Sequence, residues 1–295
     1  MSTAAYAVIT PVRNEAEHIR KTIDSMASQT CRPEKWIIVN DGSNDATPKI
    51  IDAAAKEHPW IETVHRPDRG FRKSGGGVME AFYDGYRLLD GLSWDYLVKL
   101  DGDLSFEPIY FGSCFDHFNK DAKLGIGGGT ICNNATGALV EEYQSDPPFH
   151  VRGATKIYRR ACWEGIGGLI MAPGWDSLDE IKANMLGWKT YSFPELKLHH
   201  YRFAGNADGV WKNWVKNGLA NYVSGYHPVF MLCKCLSRLK DKPYGLVPVA
   251  LWYGFLSGYF KRVPRVEDRD LIKYFRGQQL RRLTFRSNLW TQRSN

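Results

Sequence analysis

The sequence predicts an α/β fold: a mostly parallel central sheet with helices on both faces, followed by a C-terminal helical extension. Three observations predict it. Short apolar runs alternate with stretches of helical periodicity over the first 135 residues. Several of those runs end in polar residues, as strands do when a crevice forms beyond the carboxyl ends of a parallel sheet. Past Asn206 the chain turns aromatic, glycine-punctuated and finally basic.

The first strand is Tyr6-Ala7-Val8-Ile9-Thr10, running into Pro11-Val12-Arg13-Asn14-Glu15. Asn14 with Glu17 reads as a capping box, and Ile19, Ile23, Met26 and Ala27 continue at helical spacing. Residues 36–40 are a second apolar strand ending in Asp41-Gly42-Ser43. Thr47-Pro48 opens the next helix, with Ile50, Ile51, Ala54 and Ala55 periodic behind it. A short strand over 61–64, a helix over 77–89 and a strand over 96–100 follow. Residues 133–175 are irregular, with a helix near 155–164, as suits a functional loop. A helix over 176–186 and a strand over 189–193 come next, and then 196–201, which carries His199 and His200.

Composition is that of a globular chain, 43% hydrophobic and 24% charged. The net charge of +7 is uneven: the tail 261–295 holds ten Lys/Arg against three Asp/Glu, while 1–260 holds 29 of each sign. The tail is expected to make peripheral contact with an anionic membrane, with no nucleic acid expected as a partner. Between Lys242 and Lys261 lie 18 uncharged residues, about 27 Å as one helix. Pro243, Gly245, Pro248, Gly254 and Gly258 argue against an unbroken span. Trp252, Tyr253 and Tyr259 favour an interfacial or re-entrant element on the cytoplasmic face, with an internal core helix as the alternative. Six scattered cysteines and the absence of a secretory signal before the first strand lead to an expectation of reduced thiols in the cytoplasm. Cys233-Lys234-Cys235 reads as packing.

Asp101-Gly102-Asp103 carries the most chemical information. Two carboxylates at i, i+2 on extended backbone aim the same way, and Gly102 lets the backbone turn or approach a ligand. Such a pair suits a hard divalent cation held against a phosphate; an Asp-Gly turn is the plainer alternative. Arg69-Gly70-Phe71-Arg72-Lys73-Ser74-Gly75-Gly76-Gly77 opens a helix with exposed N–H groups and three cations, an anion site in which Arg72 and Lys73 would touch phosphate. It lacks the P-loop order. Near 174–180, Ser177 and Glu180 make a capping box, leaving Asp176 or Asp179 as general base. His199 and His200 point to opposite faces if extended, so at most one faces the site.

The segments Ile9-Thr10-Pro11-Val12-Arg13-Asn14-Glu15, Val39-Asn40-Asp41-Gly42-Ser43-Asn44-Asp45-Ala46-Thr47 and Leu100-Asp101-Gly102-Asp103 together resemble the family 2 glycosyltransferases of the GT-A fold. The resemblance extends through 174–187 and 199–205. It implies a catalytic domain over 1–205 and an extension over 206–295, with the apolar segment 243–260 and the basic tail inside it. It also implies an inverting transferase that moves a sugar from a nucleotide-diphosphate donor, a UDP-sugar first, with Mn²⁺ or Mg²⁺. The acceptor would be a saccharide or a lipid-linked one in cell-surface polysaccharide synthesis. By position, Pro11, Arg13, Glu15 and Asp41 would hold the nucleotide. Asp101, with Gly102, would contact ribose or metal, and Asp103 would bind the metal. The family's acidic pair maps onto Trp175-Asp176, with Trp in place of the usual Glu and Asp179 the second candidate base. The family's metal histidine maps onto His200, with His199 as fallback. A polyprenyl-phosphate sugar synthase is the alternative enzyme, and a non-catalytic membrane or nucleic-acid binding module the non-enzyme reading.

Overall fold

The structure, a computed structural model, describes residues 4–70, 76–134, 139–142, 146–202 and 209–291. Arg72 and Lys73 lie outside the described residues. The elements run β1 (Tyr6–Val12), α1 (Ile19–Ala27), β2 (Lys35–Asp41), α2 (Thr47–Glu57), β3 (Ile61–Arg66), α3 (Gly76–Tyr86), β4 (Tyr96–Leu100), β5 (Leu104–Phe106), α4 (Tyr110–Lys120) and β6 (Leu124–Asn134). They continue with β7 (Leu139–Glu141), β8 (Thr155–Arg159), α5 (Arg160–Ile166), α6 (Trp175–Met185), β9 (Lys189–His200), α7 (Val210–Val223), α8 (Pro228–Ser237), α9 (Leu246–Phe260) and α10 (Arg269–Leu283).

One sheet orders the strands β3-β2-β1-β4-β8-β6-β9-β5, with β7 paired to β6. The first four are parallel, as their apolar runs require. Beyond β4 the sheet is mixed: β8 is antiparallel to β4 and β6, while β9 is parallel to β6 and antiparallel to β5. Alternation along β1 shows why both faces are covered. Tyr6 and Val8 join the core that includes Ile19 and Ile23 of α1 and Phe111 and Phe115 of α4. Ala7 and Ile9 join the opposite core with Met79 and Phe82 of α3 and Trp163 of α5. Every residue of β4 is buried, Lys99 included.

Three expectations are corrected. Asn14 caps nothing: it adopts a left-handed φ of 54°, its Oδ1 accepts from the Asn44 N–H at 2.9 Å, and α1 starts only at Ile19. The segment expected to be helical from residue 155 begins as β8, because Thr155, Ile157 and Tyr158 fit a pleated surface and pair with Leu100, Val98 and Leu97. Residues 189–200 form one strand, bulged where Pro194 cannot donate: partners shift from Gly129–Phe193 to Thr130–Lys197.

The C-terminal elements are folded as well. α10 packs Leu271 and Phe275 on Leu178 and Ile181 of α6, and its first turn is capped by Asp268, whose carboxylate accepts from the Leu271 N–H at 3.0 Å. Arg276 Nε donates to the Gly225 carbonyl at 2.8 Å. Much of the basic tail is therefore a packed helix. α9 crosses α7 backbone to backbone, through Gly218 and Gly254. No helix among the described residues is long and apolar enough to cross a membrane.

A Cβ on Gly218 would meet the Leu251 carbonyl oxygen at 2.1 Å, whereas one on Gly277 of α10 would meet nothing within 4 Å. Gly218→Ala is expected to destabilise by about 1–3 kcal/mol. Gly277→Ala is expected to stabilise by up to about 1 kcal/mol, both read from urea unfolding.

Candidate active site

The carboxyl ends of β1, β2 and β4, with the end of β9, bring most of the expected residues to one crevice. Pro11, Arg13, Glu15, Asp41, Asp101, Gly102, Asp103 and His200 line a cleft of about 460 Å³. Asp101 and His200 also line an adjoining cleft of about 290 Å³, together with Trp175 and Asp176. His199 and Asp179 line neither. His199 faces Tyr201, ring centroids 4.2 Å apart with the rings tilted by 44°, on the opposite side of the chain from His200 as extended backbone dictates.

On the nucleotide side, Arg13 Nη1 donates to the Asp41 carbonyl at 2.8 Å and Nη2 to Asp68 Oδ1 at 2.6 Å. Gly42 takes φ 69°, and a Cβ there would lie 2.5 Å from the Asp68 backbone. Those two features hold the β2 end against the β3 loop. Asp41 accepts from Arg66 Nη1 at 2.5 Å and from Arg69 Nη2, while Arg69 Nη1 donates to Glu80 Oε2 at 2.6 Å. Asp41 thus enters the cleft with both oxygens already bonded to guanidinium groups. Gly102 serves packing: a Cβ would lie 2.6 Å from Val12 Cγ1 and 3.0 Å from Ile19 Cδ1.

Carboxylates crowd the cleft floor. Asp103, 7% exposed, accepts from His200 Nε2 at 3.3 Å, and His200 Nδ1 lies 2.7 Å from Glu142 Oε2. Burial works to lower the His200 pKa, but its bonds to Asp103 and Glu142 override this and hold it up at about 10. Burial, reinforced by the negative charge of Asp103, pushes Glu15 up to about 8 against the opposing pull of Arg202, whose Nη2 donates to it at 2.9 Å. Asp101 accepts from Lys99 Nζ, which also donates to the Gly153 carbonyl at 2.5 Å.

These residues fit a divalent cation. Among the described residues Asp103 Oδ1 is buried without a hydrogen-bond partner, and an unsatisfied carboxylate oxygen at that depth costs free energy that a cation relieves. Two carboxylates and an imidazole suit Mn²⁺ or Mg²⁺. Among the described residues no three such groups already converge on a point, since Lys99 holds Asp101 and His200 bridges Asp103 to Glu142.

The adjoining cleft is set by the start of α6. Gly174, at φ 85°, precedes Trp175 and Asp176 in the first helical turn. A Cβ on Gly153 would lie 3.0 Å from Trp175 Cζ2 and 3.2 Å from Asp176 Cβ, so glycine there lets β8 approach them closely. The Trp175 ring lies 5.6 Å from both Lys99 Nζ and Lys156 Nζ, favourable to its π face. Asp179 and Glu180 are buried. Asp179 accepts from Lys156 Nζ at 2.9 Å and from the Tyr158 hydroxyl at 2.6 Å. Glu180 accepts from the Val151 N–H at 2.7 Å and sits 2.8 Å from Lys156 Nζ, so it does not cap Ser177. Asp179 is thereby buried with both its oxygens bonded, outside the lining of both clefts. Lys156 Nζ also donates to the Asp176 carbonyl, tying β8 to the turn that carries Asp176.

Sequence reasoning passed over Lys99, Lys156 and Glu142. The two lysines had a signal, since each interrupts a strand that otherwise reads as core. Glu142 had none; its place follows from β7 folding back on β6. Lys156→Met leaves buried Asp179 without its cation and Glu180 with His150 alone as ion-pair partner among the described residues. It is expected to cost about 3–5 kcal/mol by urea unfolding.

Known proteins are similar to this chain in sequence and in fold. Over 251 residues the chain is 26% identical to the EpsH protein of Bacillus subtilis (strain 168), named as a glycosyltransferase, covering 75% of this chain and 68% of that one. It is 28% identical over 144 residues to the chondroitin synthase of Pasteurella multocida (strain Pm70), covering 48% of this chain and 14% of that enzyme. Among solved structures it is similar to the mannosyltransferase PcManGT from Pyrobaculum calidifontis in complex with GDP-Man and Mn²⁺. The TM-score is 0.55 at 16% identity, over 98% of this chain and 77% of that one. It is also similar to S. aureus TarS in complex with UDP-GlcNAc, with a TM-score of 0.54 at 13% identity over 94% and 81%. The model of glycosyl transferase family 2 matches residues 7–168, more than half of the sequence, and the chain belongs to that family as a glycosyltransferase with the GT-A fold.

Proposed function

We propose that the protein transfers a sugar, with inversion, from a nucleotide-diphosphate donor to a saccharide or lipid-linked acceptor. The observation that carries this reading is the buried, unpartnered Asp103 Oδ1 at the floor of one cleft, beside a second cleft that holds Asp176.

The donor would lie in the larger cleft, its nucleotide against Pro11, Arg13 and Asp41 and its diphosphate toward Asp101 and Asp103. Asp103, with Asp101 and His200 beside it, would hold a divalent cation. Bound there, Mn²⁺ or Mg²⁺ supplies charge neutralisation to the departing diphosphate. Arg202 lines the same cleft and adds positive charge. The acceptor would enter the smaller cleft, with its sugar against Trp175. Asp176 would take the proton from the acceptor hydroxyl while that oxygen bonds to the anomeric carbon and the bond from carbon to phosphate oxygen breaks. Attack on the face opposite the leaving group inverts the anomeric centre.

UDP-sugars remain the first donors to test. GDP-mannose stands beside them because PcManGT is solved with it. Lipid-linked acceptors keep the polyprenyl-phosphate reading within the same test. Incubation with UDP- and GDP-sugars, Mn²⁺ and an acceptor panel is expected to give a glycosylated product. Asp176→Asn is expected to lower kcat by about 10²–10⁴-fold with donor affinity unchanged by titration calorimetry. Full turnover in that variant would remove Asp176 from the base role.

A further inference from the structure

The residues from Gly209 to Arg262 carry eight Lys/Arg and a single carboxylate, Asp241. That imbalance equals the net charge of the whole chain, +7. The same stretch, under a fifth of the sequence, holds twelve of the twenty large apolar side chains exposed among the described residues. Cationic and apolar exposure thus coincide, on residues that line neither cleft.

Helix geometry arranges them. α9 buries Val247, Leu251 and Phe255 and turns outward Leu246, Val249, Tyr253 and Phe260, the last 82% exposed. Those positions recur at spacings of three, four and seven, one face of a helix. α8 does the same, burying Met231 and Cys235 while exposing Val229, Leu232 and Leu236. The connection between them exposes Leu239 and Tyr244 together with Lys240 and Lys242. From α7, Trp211 reaches Tyr253 across the outer surface, ring centroids 6.0 Å apart and both rings exposed. A soluble surface seldom exposes so much apolar area together. The single carboxylate of this stretch is bonded to Arg238 at 2.8 Å, so the stretch carries no free acidic group of its own.

We propose that the outer faces of α8 and α9, with the connection 238–245, dock on the anionic headgroup region of a lipid bilayer. Alternating aliphatic, aromatic and lysine side chains suit that layer: apolar groups enter the acyl boundary, Trp and Tyr rings sit at the headgroups, and lysines meet lipid phosphates. At fifteen residues α9 spans about 22 Å, too short to cross, so the contact is interfacial. The surface extends the interfacial element expected over 243–260 to α8 and the connection that follows it, while the apolar residues of the basic tail pack α10 against α6.

The test is co-sedimentation of the full chain with phosphatidylcholine vesicles prepared with and without phosphatidylglycerol. Binding to the phosphatidylglycerol vesicles is expected to be at least about tenfold stronger and to weaken with salt. Val249→Asp with Tyr253→Asp, and separately Lys240→Glu with Lys242→Glu, are expected to abolish it while keeping the wild-type melting temperature. Should the first pair unfold the chain, the exposed lysine pair carries the test. Wild-type protein left in the supernatant, or full binding by the folded lysine variant, overturns the proposal. So does a wild-type dimer that Val249→Asp disperses in sedimentation velocity, because a second copy would then cover the face.

Discussion

The crowding of carboxylates at the end of β4 is the constraint on which the crevice depends. Glu15, Asp101, Asp103 and Glu142 meet there, bonded to Arg202, Lys99 and His200. Buried like charges are tolerated only when matched, and each match fixes a piece of backbone. Lys99 ties β4 to Gly153, at the entry to β8. His200 ties the end of β9 to Asp103 and to Glu142 after β7. Arg202 brings the chain past β9 back to β1, donating to the Asn14 carbonyl as well as to Glu15. One oxygen, Asp103 Oδ1, is left without a partner among the described residues. The elements that build the fold and the groups that would handle a diphosphate are therefore the same ones.

A second buried charge cluster stands behind the first. Lys156 of β8, Asp179 and Glu180 of α6, and His150 ahead of β8 compensate one another, and burial alone would push the His150 pKa down, but Glu180 raises it. This cluster lies outside both clefts. Its consequence for chemistry is positional: the Asp176 carbonyl is one of its acceptors, so the turn carrying Asp176 is held by core electrostatics.

Legibility in the sequence followed burial pattern. The parallel strands were readable because both their faces are buried, leaving apolar runs at β1, β2 and β4, the last broken only by Lys99. Their polar ends pointed to one crevice, and the structure gathers Pro11, Arg13, Glu15, Asp41, Asp101, Asp103 and His200 there. What failed was what depends on partners distant in sequence. Thr155–Arg159 looked helical until paired with β4. Asp179 looked available for catalysis because Lys156, 23 residues away, cannot be seen beside it in a linear reading. Asn14 looked like a cap because its left-handed backbone answers to Asn44, 30 residues on. The tail looked free because its apolar residues, Leu271 and Phe275, find their partners on α6.

Binding of Mn²⁺, followed by electron paramagnetic resonance in the presence of UDP or GDP, tests the central claim most directly. The account predicts one bound Mn²⁺ per chain, with the free-ion signal suppressed by wild-type protein and restored by Asp103→Asn. A free-ion signal that the wild-type protein leaves unchanged, or that Asp103→Asn suppresses equally, would contradict it.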